Sequence, residues 1–372
     1  MKIDVAVFLR IIIAAGIILN LNCKEKSASD SKINHTLDKV ELRMCDGVGR
    51  EQKYKPFLAG LVKELLNNNF IWSKDSLFIK GSDSIQVLDS IATALSSRLF
   101  LETDASVIVR ELNNCFFNQM KMRTNNINRA LPNLLPYNVL QNREGNIYGC
   151  AMIFLLIAEK ADLPFSGALY NDHFYIQFNN GKTRLNIELP RTGECMAESW
   201  YSLHFKGNNK GESETINLNN YELIGLMYYE IGDILYTQGK NIAAIANFAN
   251  ALKYYPTLKK AQTRLDYIVD CEKGNNEILS KLIQLRSENQ ELGSLDRSIG
   301  LLYLRKGDYK LSAEYYKHAL EKSPQDNMLL KGAAISCINL RDYESAKKYL
   351  GRVIAAVPED SQALALIGQC PK

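Results

Sequence analysis

The chain has no C-x-x-C pair, no histidine at metal-ligand spacing from a cysteine, and no stripe of lysine or arginine. The first two absences remove the spacing a zinc site needs, so no metal is expected and nothing calls for a cofactor. The third argues against a phosphate-binding surface. Its 45 basic residues stand against 41 acidic ones, for a formal charge of +4, and the aromatics do not interleave with the cations. Nucleic acid is therefore not an expected partner. Collagen-like, disordered and membrane-bundle biases are absent too. What remains is an ordinary soluble composition over 372 residues, long enough for two or three compact units.

The N-terminus reads as a targeting segment over residues 1–23. Lys2 and Arg10 precede an apolar run, Ile11 to Leu21, that is too short for a comfortable transmembrane span. The run ends at Asn22-Cys23 and gives way to the polar stretch Lys24 to Lys32. This pattern resembles a bacterial lipoprotein signal, in which Cys23 becomes the lipidated first residue, although Asn22 stands where a small residue is usual. The expectation is an exported, membrane-anchored lipoprotein of a bacterial cell envelope, with residues 24–50 as a polar tether. Eight cysteines are present: Cys23, Cys45, Cys115, Cys150, Cys195, Cys271, Cys337 and Cys370. Most lie in apolar helical patterns, which reads as small buried hydrophobes before it reads as a disulfide framework.

A unit over residues 51–205 begins helically. Phe57, Leu58, Leu61, Val62, Leu65 and Leu66 recur at three- and four-residue steps, and Ile85, Leu88, Ile91, Ala92 and Leu95 form a second such face. Further helices are expected over 105–119 and 134–141, then an apolar one from Ile147 to Ala161 before Leu163-Pro164. There the period changes to two. Phe174, Ile176 and Phe178 alternate with His173, Tyr175 and Gln177, and Leu185, Ile187 and Leu189 alternate with Asn186 and Glu188. Asn180-Gly181 between them is a strong hairpin signal. With those two as the loop, Ile176 faces Leu185, Phe174 faces Ile187, and His173 faces Glu188 on the polar side.

Beyond a linker over 206–224, the chain repeats. Gly232, Gly239, Ala244, Phe248, Ala251 and Pro256 recur 68 residues later as Gly300, Gly307, Ser312, Tyr316, Ala319 and Pro324. A further shift of 34 gives Ala334, Arg341, Ala346, Leu350, Val353 and Pro358. The doubled interval predicts a worn repeat over 259–292, with Ile278, Leu282 and Leu285 at its apolar positions and Gln290 in place of proline. This order of residues at period 34 resembles the tetratricopeptide repeat: four units from 225, with Ser361 to Gln369 as a capping helix. Glycine or alanine allows close helix approach, the Ala–aromatic–Ala series forms a buried stripe, and stacked hairpins leave a groove for a peptide or helix. Tyr228, Tyr236 and Tyr255 are candidates for that groove or for the core.

Arg143-Glu144-Gly145-Asn146, the apolar helix, Leu163-Pro164, Asp172-His173-Phe174 and Asn186-Ile187-Glu188 together resemble the bacterial transglutaminase-like core family of the SirB type, over about residues 85–190. Glu111-Leu112-Asn113 to Leu140 resembles that family's helical lead-in, and such proteins often carry tetratricopeptide repeats behind the core. The resemblance implies an α+β fold: a papain- or transglutaminase-like α/β domain with a helical lead-in, followed by an all-α solenoid. In active relatives a nucleophilic cysteine follows Gly-Asn at a helix N-terminus, where the helix dipole and a histidine favour its thiolate. His173 and Glu188 match the histidine and acid, but Ile147 holds the cysteine position. A branched hydrocarbon cannot be a nucleophile. Cys150 is the substitute to weigh, about 4.5 Å further along the axis and roughly 60° short of a full turn, on an apolar face with Phe154, Ile157 and Ala161. A His–Glu pair on the polar side of a hairpin also has a plainly structural reading. Ser166 and Ser199 have no elbow or base beside them, and His35, His204 and His318 lie outside the motif.

The expected function is non-catalytic binding of a protein or peptide by the solenoid, with membrane attachment through the lipid anchor. The rival is a cysteine-dependent acyl-transfer or peptidase enzyme in which Cys150 attacks, His173 is the base and Glu188 orients it.

Overall fold

The computed structural model describes residues 58–73, 88–125, 130–205, 215–272, 275–288 and 293–371. The expected signal, the lipidation site Cys23, the tether, His35 and Cys45 lie outside these residues. The described chain belongs to one compact unit running from Pro56 to Lys372.

Its first half opens with helices α1 (Leu58–Ser73), α2 (Leu88–Leu99) and α3 (Ala105–Asn113). Asp104 starts α3 by accepting from the Ser106 N–H, which leaves one fewer orphan donor at the helix start. The helix expected over 105–119 does not continue as one: Asn114–Gln119 widens into a π-turn. Two short strands, β1 (Arg123–Thr124) and β2 (Glu144–Gly145), pair in parallel around α4 (Pro136–Asn142). Then comes α5 (Ile147–Lys160), buried along almost its whole length from Gly149 to Ala158.

The sheet contains β3 (Phe165–Tyr170), β4 (His173–Asn179), β5 (Arg184–Glu188), β6 (Glu194–Met196) and β7 (Thr215–Leu218), in the antiparallel order β6-β5-β4-β3-β7. Side chains alternate between faces along each strand. Phe174, Ile176, Phe178 and Ile187 join α5 in the main core, whereas Ala168, Tyr170 and Tyr175 face the other way, toward Tyr201 of α6 (Glu198–His204).

The hairpin register differs from the expected one. Ile176 faces Ile187, Gln177 faces Asn186 and Phe178 faces Leu185, so each partner lies two residues further on. The cause is the Asn180 side chain, which accepts from the N–H groups of Lys182 and Thr183, while Asn180 N–H donates to Thr183 O. This Asx turn closes a four-residue loop instead of a two-residue one. Because the slip is even, every side chain keeps its face. The two-residue turn of the left-handed type is Asn171-Asp172, with φ of 49° and 65°, where Tyr170 pairs with His173.

The expected linker is also shorter than 206–224: residues 215–218 form the edge strand β7, and α7 (Asn220–Thr237) starts at once with an Asn219–Glu222 capping box. From there the helices come in pairs: α7 with α8 (Asn241–Tyr254), α9 (Lys259–Cys271) with α10 (Asn276–Glu288), α11 (Gly293–Lys306) with α12 (Tyr309–Lys322), and α13 (Asn327–Asn339) with α14 (Tyr343–Ala356). Helix α15 (Ser361–Ile367) closes the stack. The caps repeat with the sequence. Asp308 and Asp342 start the second helices of the last two pairs, and Asp326 and Asp360 start the helices that follow. Glycine does what the pattern demands: a Cβ on Gly232 would lie 2.8 Å from the Phe248 ring, and one on Gly300 3.2 Å from Tyr316. Ser312 replaces alanine without an orphaned hydroxyl, donating to Gly300 O at 2.9 Å and pairing with Ser336 at 2.8 Å.

The two halves interlock through α1. Glu159 near the end of α5 accepts from the Leu58 N–H at 2.7 Å and from the Asn220 amide at 3.0 Å, so one carboxylate ties α1, α5 and α7 together. Asn68 donates to the Tyr228 hydroxyl at 2.9 Å, and Tyr254 donates to Glu64. Tyr228 and Tyr255 are thus core residues, and only Tyr236 of the three tyrosine candidates is half-exposed.

Candidate functional site

The Gly-Asn motif builds the mouth of α5. Asn146 is its N-cap, accepting from the Gly149 N–H at 2.8 Å, and its own N–H donates to Asn133 O at 2.8 Å. Gly145 is fixed by space, since a Cβ there would meet Asn133 O and Val139 at 2.9 Å. Ile147 follows, half-buried against the main core. Beside it the Tyr148 ring packs on Phe174, with centroids 5.1 Å apart. The β4 side chain that faces this first turn is therefore Phe174.

Cys150 points into the core. It is fully buried, and its Sγ donates to Arg123 O at 3.3 Å. Burial pushes the thiol up to about 11, so it stays protonated at neutral pH. Among the described residues all six cysteines are free thiols, and Cys195 and Cys271 are exposed rather than buried as their patterns suggest.

His173 and Glu188 do come together. Nε2 of His173 lies 2.8 Å from Oε1 of Glu188, and the carboxylate is 2% exposed. A carboxylate oxygen accepts, so this contact is one in which Nε2–H of His173 donates to Glu188. In the observed register the two are diagonal rather than directly opposed. They share the sheet face turned away from α5, so the structure does not bring Cys150 to His173. Among the described residues no serine, threonine or cysteine side chain makes a hydrogen bond to His173.

The surroundings of this pair are aromatic, which the sequence reading missed. His173 stacks on Phe205 at 3.7 Å, with Tyr201 at 5.9 Å, Tyr175 at 6.2 Å and Trp200 at 6.4 Å. Asn171 holds this wall by donating to Phe205 O at 2.6 Å. Burial, then the neighbouring Glu188 charge, raises the Tyr201 phenol well above its ordinary range. The signal available was Trp200-Tyr201 and Phe205 in a chain with only 2 tryptophans. His204 stacks on Trp200 and His318 packs by Tyr315, both apart from the pair.

The other site is the open side of the repeats. Helix α9 buries Ala261, Leu265, Ile268 and Val269. An adjoining face carries Lys260, Arg264, Tyr267 and Cys271 at helical spacing, and Tyr267 is 53% exposed. Acids of α7 hold this row: Lys260 pairs with Glu230 at 3.9 Å and Arg264 with Asp233 at 2.9 Å. Arg297 pairs with Asp266 at 2.7 Å one step along. A separate cavity of about 1010 Å³, on another face of α9, is lined by Lys253, Pro256, Lys259, Arg297, Asp326 and Leu329 among others.

Comparison with known proteins agrees with this division. A family model described as the transglutaminase-like superfamily matches residues 82–216, and tetratricopeptide-repeat models match 226–258 and 303–370. The chain carries a transglutaminase-like domain followed by tetratricopeptide repeats. The worn repeat between those matches is nevertheless helical, as α9 and α10, with Ile278, Leu282 and Leu285 buried. Among curated proteins the chain is similar to stress-induced-phosphoprotein 1 of Caenorhabditis elegans, 22% identical over 190 residues. That match covers 50% of this chain and 54% of the relative, so the chain spans about half the length of the protein it matches. Among solved structures it aligns with menin, whose crystal structure is described as revealing the binding site for Mixed Lineage Leukemia protein. The TM-score is 0.32 and the identity 13%, over 86% of this chain and 78% of that one. Among the described residues no helix is long and apolar enough to cross a membrane, and no group of side chains is arranged to hold a metal.

Proposed function

We propose that this protein is a non-catalytic binding scaffold, in which the repeats hold a protein or peptide and the transglutaminase-like domain, of the SirB type, serves recognition instead of chemistry. The observation that carries the reading is the row on α9, where Tyr267 stands 53% exposed in line with the ion-paired Lys260 and Arg264. Aromatic anchors flanked by oriented cations are what peptide grooves use for affinity and register. On the transglutaminase-like side, the motif position is Ile147, Cys150 is a buried neutral thiol, and His173 faces the other way. Those three facts together favour binding over acyl transfer.

The same proposal places the protein outside the cytoplasm of a bacterium, anchored at the cell envelope by a lipid on Cys23, on the apolar run and polar tether that flank it. Metabolic labelling with an alkyne fatty acid tests that part. Label should appear on the native chain and vanish with Cys23→Ala.

The binding reading is tested with a photo-crosslinking amino acid in place of Tyr267 in the full chain, and the same group at the exposed Lys348 of α14 as the comparison. Discrete adducts from Tyr267 and none from Lys348 are expected. Identical patterns at both positions would overturn the groove.

A further inference from the structure

A second cavity, of about 1080 Å³, opens on the transglutaminase-like domain away from the His173 pair. Its wall is made by α3 and the π-turn that follows, the loop into β1, and the β5–β6 edge of the sheet. Arg110, Lys121 and Arg123 line it, together with Asn113, whose amide donates to Gly193 O, and Asn118, whose amide donates to Asn114 Oδ1. Its one acid, Glu111, faces Arg98 at 3.8 Å.

All three cations of this cavity, Arg110, Lys121 and Arg123, are without an ion pair among the described residues, whereas the solenoid cavity seats Arg297 against Asp266 and Lys253 against Glu64. Three like charges around one concave surface repel one another within a Debye length, and a low-dielectric wall sharpens that field. The cheapest relief is a bound anion. Two local features act in the same direction. Lys121 is held in the left-handed region at φ 57°, a costly conformation for a side-chain-bearing residue, and it stands at the end of the π-turn, an irregularity that concentrates at binding sites.

We propose that this cavity binds a small oxyanion carrying more than one negative charge, with two guanidinium forks and one ammonium as its cationic contacts. Phosphate and carboxylate groups share that chemistry, and the test separates them.

Cys195 lines the same cavity and is exposed, which gives a built-in reporter; exposed Cys271 on the solenoid is the internal comparison. The full chain is alkylated with and without inorganic pyrophosphate or citrate, against chloride at matched ionic strength, and each cysteine is quantified by peptide mass spectrometry. At about ten times the dissociation constant the free fraction falls about tenfold by mass action, and Cys195 labelling should slow by that order while Cys271 does not change. Slowing by pyrophosphate alone assigns a phosphate ligand; slowing by citrate as well assigns the site to polyvalent oxyanions generally. Two variants carry the control: Arg123→Gln, and Lys121→Gly, which removes the charge while suiting the left-handed backbone. Both should abolish the protection. No protection by either anion, equal slowing at Cys271, or full protection in both variants would overturn the proposal.

Discussion

Oε1 of the buried Glu188 lies 2.8 Å from Nε2 of His173, on the side of the sheet that looks away from α5. Each group makes the other tolerable there, since a carboxylate taken out of water needs a donor and the ring needs a fixed tautomer. His173→Ala strands a buried carboxylate and should cost about 3 kcal/mol, while Glu188→Gln keeps an acceptor for Nε2–H and should cost about 1 kcal/mol. Urea unfolding of the two variants checks the order. Equal losses would mean that the pair contributes only packing.

Cys150 predicts a pH dependence of its own. Burial raises its thiol from an ordinary 9.0 to about 11, so folding favours the protonated form. The contribution is complete below about pH 9, where the unfolded thiol is also protonated, and is lost as pH rises toward about 11. Its size is up to about 3 kcal/mol, from two units at about 1.4 kcal/mol each. The Cys150→Ala variant should therefore lose less stability than the native chain between those pH values. Parallel curves for both proteins would contradict this.

Much of this was legible in the sequence, and the failures have local causes. The 34-residue period placed all four helical pairs, even the worn one, because each hairpin buries the same stripe against its neighbours whether or not every consensus residue survives. Strand β3 escaped notice because Ala168 to Tyr170 is covered on both faces and shows no alternation. Edge strand β7 was hidden in a polar segment that reads as linker. At Asn180-Gly181 the glycine does take a left-handed φ of 84°, yet the Asn180 side chain, which no dipeptide rule includes, sets the loop length. The His173–Glu188 contact was foreseen through a register that was two residues off, and it survived because diagonal neighbours on one face are still within reach of long side chains. The aromatic wall around it could not be read from alternation, since α6 is packed there by tertiary structure alone.

The glycines that admit neighbouring rings rank by distance. A methyl group on Gly332 would overlap the Tyr316 ring most closely, one on Gly232 would lie 2.8 Å from Phe248, and one on Gly300 3.2 Å from Tyr316. Substitution to alanine should destabilise in that order, within about 1–3 kcal/mol. Thermal melting of the three variants gives the ranking directly, and a reversed order would show that the rings move aside freely.

Arg341 occupies the repeat position that holds glycine in two other repeats. Its φ is 62°, against 74° at Gly239 and 80° at Gly307. The left-handed backbone costs a side-chain-bearing residue about 1–2 kcal/mol, and glycine's extra freedom when unfolded returns about 0.5–1 kcal/mol of that. Arg341→Gly should accordingly stabilise by about 0.5 kcal/mol, raising the melting temperature by about 1–2 °C, and Gly239→Ala should lower it. A lower melting temperature for Arg341→Gly would mean that its side chain contributes more than its backbone costs.

The separation of thiol and imidazole by the sheet is the claim on which the binding reading rests. It is tested by alkylating the native full chain at about pH 8, where an activated thiolate would react and a buried thiol would not, and reading each cysteine by mass spectrometry. Cys195 and Cys271 should label while Cys150 remains unmodified, with no change in His173→Ala. Rapid labelling at Cys150 that slows in His173→Ala would contradict the account and restore a working nucleophile.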